Sequence, residues 1–245
     1  MTGKPDESLN EFDVIERFFN RRGPHRGVRL GIGDDGAILE PLKSDQELVV
    51  VSDTLVEGVH FRANQAPYDI GHKALAVNLS DLAAMGAQPM WALLNLTLSS
   101  ADEDWLRCFS DGFFALAMRY EVALVGGDTT RGPLCISVTA AGSVPRTKAL
   151  TRAGAKVGDR VVVSGTVGDA ALALELLAQS EMPSRQDHGH LLARLNRPSP
   201  RVELGILLRD VASASIDISD GLMADLGQLL QLNAKLYLMY FLVAL

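Results

Sequence analysis

Five segments of this chain set aspartate beside glycine or other small residues: GIGDDGA (31–37), VVVSDTLVEGVHF (49–61), VNLSDLAAMGA (77–87), VGGDTTRG (125–132) and IDISDGL (216–222). Small residues let backbone approach a ligand closely, and carboxylates offer hard oxygen to a hard cation. That pairing suits Mg²⁺ held between protein and phosphates. One such segment would carry little weight. Five, spread over most of the chain, imply one acidic site assembled from several loops.

Gly31, Gly33 and Gly36 also match G-x-G-x-x-G, with Asp53 about 20 residues on, where a dinucleotide fold places its ribose-binding acid. That fingerprint should open a helix whose N-terminus meets pyrophosphate. Here residues 37–39 run straight into Pro41 and leave no room for one. Bare, Asp34 and Asp35 would repel pyrophosphate, whereas a Mg²⁺ ion between them makes the same geometry attractive. The dinucleotide reading is therefore rejected and the metal reading kept, although a plain acidic turn explains this segment equally well on its own.

Asp53 closes an apolar run and is expected at a strand tip, pointing into a crevice; an Asx turn is the even alternative. His60 lies seven residues further on, in GVHF, and is a candidate donor to a substrate phosphate. Asp81 sits in AVNLSDLAAM, a small and apolar helical segment, with Asn78 three residues before it on the same face. A carboxylate there must be paired, solvated at an edge or bound to metal, and metal is the favoured reading. In GGDTTRG, Asp128 follows a short β run; its glycines permit tight backbone and Arg131 offers a planar phosphate donor. Asp217 and Asp220 flank Ser219, and Gly221 lets the chain turn into a helix. No G-x-x-x-x-G-K-[ST] loop and no H-R-D or D-F-G set is present, so neither common kinase class applies.

The elements that must position these residues alternate between helix and strand, as an α/β or α+β pattern. Ser8 to Glu11 reads as a capping box opening a helix with Phe12, Ile15, Phe18 and Phe19 on one face. Strands are expected at 47–52, 91–98, 122–125 and 134–144, and helices at 69–85 and 102–120. The basic, small-residue stretch 145–159 marks a domain boundary, dividing the chain into 1–145 and 146–245. Beyond it, strands are expected at 160–164 and 214–219, helices at 170–177, 199–208 and 222–230, and a polar loop at 181–189. Residues 236–245 (LYLMYFLVAL) are wholly apolar but shorter than the roughly 20 residues that span a bilayer. The C-terminal domain is therefore expected to be incomplete, with an atypical tail at 232–245.

Of 245 residues, 47% are hydrophobic and 22% charged, which suits one large or two moderate globular domains. The net charge of −7 argues against a nucleic-acid surface. Cys108 and Cys135 have no metal-like spacing and read as reduced thiols of a cytoplasmic protein. The N-terminus lacks the apolar run of a secretory signal, and no membrane association is expected.

Taken in order, GIGDDGAIL, VVVSDTLVEGVHF, HKALAVNLSDLAAMGAQP, LVGGDTTRGPL, RAGAKVGDRVVVSG and IDISDGLMADL resemble thiamine-monophosphate kinase, from about residue 11 to residue 230. That family belongs with aminoimidazole-ribonucleotide synthetase and selenophosphate synthetase. The first usually carries a D-G-V-G-T-K-like loop where this chain has SDTLVEGVHF, and the second a reactive residue near its N-terminus, whereas the first cysteine here is Cys108. The resemblance implies ATP-dependent phosphorylation of thiamine monophosphate to thiamine diphosphate. It implies an N-terminal α/β domain that forms a homodimer through its sheet, and a C-terminal α+β domain. It also implies Mg²⁺ ligands at Asp35, Asp53, Asp81, Asp128 and Asp217, a further ion at Asp220, and Ser52 in the same metal loop. Gly127, Asp128, Arg152 and Ser219 are then ATP contacts and His60 a substrate contact. Val51 stands where some members carry a hydroxyl residue, and the tail does not resemble the family's thiamine-side segments.

The acceptor of such a reaction is itself a phosphate with a second pKa of about 6, so it needs no strong general base. Catalysis is expected to be alignment and charge neutralisation with direct in-line transfer, and no residue acts as nucleophile. The alternative is a truncated, inactive homologue that retains Mg-nucleotide binding or dimerisation only.

Overall fold

A computed structural model describes residues 9–21, 27–179 and 185–233. Ser8, residues 181–184 of the expected polar loop and the apolar residues 236–245 lie outside them. Within the described residues the first helix, α1 (Glu11–Val14), is capped by Asn10. The Asn10 side chain accepts the Asp13 N–H, and Asp13 accepts the Asn10 N–H in return. The capping box thus sits two residues later than expected at Ser8. The chain continues as a π-helical turn (Ile15–Phe19), whose wider winding resets the face. Val14, Phe18 and Phe19 are buried, while Phe12 is 80% exposed rather than on their face.

A short antiparallel pair, β1 (Val28–Leu30) with β2 (Ile38–Leu39), brackets the glycine-rich bend at 32–36. Four longer strands, β3 (Gln46–Val56), β4 (Gln88–Leu98), β5 (Ala123–Arg131) and β6 (Cys135–Pro145), form one sheet in the order β3-β6-β4-β5. β4 and β5 run parallel, joined through helix α3 (Glu103–Arg119). A register shift at Ala92/Leu93 leaves Val125 as an extra residue before Gly126.

Two of these strands are longer than local residue type suggests. β3 does not stop at Ser52 but runs on to Val56, and β5 runs through GGDTTR to Arg131. Asp53 is therefore inside a strand rather than at its tip. The cause is pairing: Ser52 Oγ meets Thr139 Oγ1 at 2.9 Å, Thr54 Oγ1 meets Ser137 Oγ at 2.7 Å, and the Glu57 N–H donates to Leu134 O at 3.3 Å. Partner numbers fall as β3 advances, so β3 and β6 are antiparallel.

Helix α2 (Pro67–Ala84) and α3 approach backbone to backbone. A Cβ added at Gly71 would lie 2.0 Å from Phe109 O, and one at Gly112 1.9 Å from Tyr68 O. Asp102 caps α3 by accepting the Trp105 N–H at 2.8 Å. Leu106, Phe109, Phe113 and Leu116, spaced three or four apart, are its buried stripe.

The chain divides into two compact units. One comprises Met1–Lys43, Val50–Asn78 and Pro89–Gly142, the other Ser44–Val49, Leu79–Gln88 and Ser143–Leu245. The second holds α4 (Asp169–Gln179), α5 (Arg185–Asn196), α6 (Val202–Leu208) and α7 (Leu222–Leu232). α5 occupies part of the expected polar loop. Its leucines fall only in its second half, so local periodicity hides its start, and tertiary contact with α4 supplies the rest. Asp169 of α4 accepts from Thr166 and pairs with His190 at 3.3 Å and Arg194 at 3.7 Å. The Thr166 hydroxyl, and then His190, hold the Asp169 carboxyl below its ordinary range. α6 starts at Val202 rather than Ser199, because Pro200 disfavours helical backbone at the residue before it. Neither 160–164 nor 214–219 forms a strand: neither joins a ladder among the described residues, and Val161 is 65% and Val162 84% exposed. The fold is mixed α/β, and no helix among the described residues is long and apolar enough to cross a membrane.

Candidate functional site

In the first unit, β5 presents Gly127 and Asp128 beside β4, with Asn95 as the register partner of Asp128. The bend after β1 presents Asp34 and Asp35, its shape held by the Asp35 N–H donating to Asp34 Oδ1 at 2.8 Å. Asp34, Asp35 and Asp128 line one cavity of about 560 Å³, whose apolar wall includes Phe12, Ile15, Phe19 and Ile32. No lysine or arginine is among its lining residues. Three carboxylates without a cation among them make a site that attracts positive charge.

Asp53 is half-buried, on the same side of β3 as buried Leu55. Ser52 takes the opposite side by alternation, and its hydroxyl is committed to Thr139 Oγ1 at 2.9 Å and Val138 O at 3.3 Å. The Ser52 hydroxyl and the Asp53 carboxylate therefore do not converge, and Ser52 can join Asp53 at a metal only through its backbone. His60 is exposed in the turn after β3, and its Nδ1 accepts the Val56 N–H at 3.0 Å, leaving Nε2 for a ligand. Below it, Lys73 is 8% exposed and reaches His60 O at 3.5 Å. Burial pushes the Lys73 ammonium below the ordinary lysine range, partly countered by Asp69.

In the second unit, Ser80 and Asp81 are half-buried on the last turns of α2, among buried Leu79 and Leu82. Ser80 Oγ donates to Asp217 Oδ2 at 3.3 Å. Ser219 and Asp220 are exposed in the bend before α7, and Gly221, at φ +109°, makes the turn into that helix. Arg152 is exposed, its Nη1 donating to Gln228 Oε1 at 2.7 Å. Sequence reasoning missed Ser80, Asp225 and Gln228. Ser80 stands next to a singled-out aspartate, which was a usable signal; Asp225 and Gln228 look like ordinary helix residues.

Among the described residues, no three His, Cys, Asp or Glu side chains gather closely enough to hold one metal ion. Within the first unit Asp35, Asp53 and Asp128 thus form no preformed cage, and within the second neither do Asp81, Asp217 and Asp220. Mg²⁺ does not require one: it usually keeps several waters and binds one or two carboxylates together with substrate phosphates. Hard oxygens without a basic neighbour, as at Asp34, Asp35 and Asp128, fit that mode.

Residues 33–144 match the family model described as AIR synthase related protein, N-terminal domain. The thiamine-monophosphate kinase of Escherichia coli (strain K12) is 49% identical over 226 residues, covering 91% of this chain and 69% of that protein. A crystal structure of thiamine-monophosphate kinase from Stenotrophomonas maltophilia K279a aligns with a TM-score of 0.80 and 51% identity, over 90% of this chain and 70% of that one. A structure described as AaThiL complexed with AMPPCP and TMP aligns with a TM-score of 0.74 and 34% identity, over 96% and 73% of the two chains.

Proposed function

The chain belongs to the thiamine-monophosphate kinase family, and from that premise we propose that it transfers the γ-phosphoryl group of ATP to thiamine monophosphate, giving thiamine diphosphate and ADP. The observation that carries this reading is the cavity where the Asp34–Asp35 bend meets Gly127 and Asp128, in a chain similar to one solved with AMPPCP and TMP.

In this reading Gly127, Asp128, Arg152 and Ser219 contact ATP. Asp35, Asp53, Asp81, Asp128 and Asp217 hold Mg²⁺, with Asp220 serving a further ion and Ser52 contributing through its backbone. Mg²⁺, when bound, would neutralise the repulsion between the two phosphate chains. His60, its ring fixed by the Val56 N–H, offers Nε2 to the acceptor phosphate. That phosphate is largely ionised at neutral pH, its second pKa being about 6. The residues therefore align it for in-line attack rather than deprotonate it. The segment 1–145 forms the dimer and supplies Asp35, Asp53, Asp81, Gly127 and Asp128 for Mg-ATP, and 146–245 adds Arg152, Asp217, Ser219 and Asp220. Support for a homodimer comes from the open side of β3, where Val50 is 53% exposed in line with exposed Ser52 and Thr54.

A coupled assay of the full chain should show ADP release that depends on both thiamine monophosphate and Mg²⁺. Folded protein that binds Mg-ATP but releases no ADP would leave only the nucleotide-binding homologue. Direct transfer also predicts no covalent phosphoprotein when the enzyme is quenched after incubation with γ-labelled ATP alone; recovered label on the protein would exclude it.

A further inference from the structure

Asp225 carries a carboxylate only 2% exposed on a helix otherwise half-exposed or open to solvent. Its Oδ2 accepts two consecutive backbone N–H groups, Ser219 at 3.0 Å and Asp220 at 3.1 Å. A buried carboxylate is costly unless its oxygens are hydrogen-bonded, and here the donors belong to the bend that bears Ser219 and Asp220. Gln228, three residues further along α7 and so on the same side of it, accepts Arg152 Nη1 at 2.7 Å. Past the end of the helix, the Asn233 side chain donates to Arg152 O at 2.8 Å and accepts the Gly154 N–H at 2.8 Å. One helix therefore grips two segments far apart in sequence, those carrying Ser219 and Arg152.

We infer that Asp225 and Gln228 are positioning residues for the nucleotide, fixing Ser219 and Arg152 in a common frame before ATP arrives. This rests on the kinase reading above, in which Ser219 and Arg152 contact ATP. Neither positioning side chain needs to touch the ligand. Asp225 sets the path of the 217–220 backbone, and Gln228 sets the direction of an otherwise exposed guanidinium. Ordering these groups in advance removes an entropic cost from binding, so their loss should appear in ATP affinity rather than in the handling of the acceptor.

The test is steady-state kinetics and calorimetric Mg-ATP binding on the full chain. Asp225→Ala should raise KM for ATP about tenfold or more, Gln228→Ala about threefold, and KM for thiamine monophosphate should stay within about twofold, because Asp225 is buried and holds two N–H groups whereas Gln228 is exposed and holds one. Both N–H groups converge on one oxygen of Asp225, so the amide oxygen of Asp225→Asn can replace it and should keep ATP affinity within about threefold of wild type. Gln228→Glu, which retains an acceptor, should restore what Gln228→Ala loses.

Wild-type ATP affinity in a folded Asp225→Ala variant would overturn the assignment. So would alanine variants that weaken both substrates alike in step with a lowered melting temperature. Should Asp225→Ala not fold, Gln228→Ala and its Glu rescue decide: a weakened alanine variant restored by glutamate supports positioning, and an unchanged one sinks it. A wild-type chain that neither binds nor turns over ATP removes the kinase reading itself, whereas wild-type binding with unaffected variants removes only the positioning.

Discussion

Gly127→Ala is expected to cost about 3–5 kcal/mol, a large part of the stability of an ordinary domain. Gly127 has φ +146°, a conformation that side-chain-bearing residues rarely adopt. An added Cβ would stand 1.8 Å from Leu94 O, 2.5 Å from Leu94 C and 2.8 Å from Leu94 N. Those are backbone atoms of the register partner in β4, so no side chain can swing aside. Relief requires β5 to part from β4, and Asp128 would move with it out of the carboxylate-lined cavity. Gly126→Ala is the internal control. Its Cβ would meet only Leu93 Cδ2, at 3.3 Å, the flexible end of a side chain, and it should cost less than about 1.5 kcal/mol. Denaturant unfolding of both variants checks this, and equal small losses would mean that the close approach at Gly127 is not a constraint.

The same contrast explains how much was legible in the sequence. Helix α3 could be read because Leu106, Phe109, Phe113 and Leu116 repeat at helical spacing and Asp102 is a local cap. The bend at Asp34 and Asp35 could be read because glycines crowd it and Pro41 follows. Asp53 and Asp128 look like punctuation by residue type, yet both lie inside strands. What extends β3 and β5 is pairing with β6 and β4, which is non-local. The reverse holds at Val161 and Val162, whose β-branched side chains favour a strand that no neighbour among the described residues completes. At the N-terminus, one π turn was enough to take Phe12 off the face of Phe18 and Phe19.

The candidate site shows the same limit. Type and spacing nominate the aspartates as metal ligands, and the resemblance to the family proposes a role for each. What sequence could not show is which carboxylates are engaged in holding the protein's own backbone. Asp225 reads as a first-turn acid favoured by the helix dipole. Its partners are backbone groups five and six residues earlier, in a segment expected to end a strand. The resemblance places Ser52 in the metal loop without saying which of its atoms would serve, and the position of β6 pairs its hydroxyl with Thr139.

Asp81→Asn is expected to abolish Mg²⁺-dependent ATP binding while leaving the fold in place. Asp81 is half-buried near the C-terminal end of α2, between residues that pack the core, and its neighbour Ser80 reaches Asp217. Asparagine has the same shape and can still hydrogen-bond, so packing of Leu79 and Leu82 should survive and the melting temperature should change little. It removes the negative charge, and a neutral amide oxygen is a much poorer ligand for Mg²⁺ than a carboxylate. Loss of even an outer-shell partner costs a metal site about 10–100-fold, so loss of a direct ligand's charge should exceed the upper figure. Calorimetric titration with ATP at fixed Mg²⁺ should show affinity down by more than about 100-fold, partly recovered at high Mg²⁺ by mass action. Recovery with Mg²⁺ separates a weakened metal site from a damaged nucleotide site, because added metal cannot restore lost contacts to the base or ribose. A folded Asp81→Asn protein with wild-type ATP affinity would take Asp81 out of the metal set.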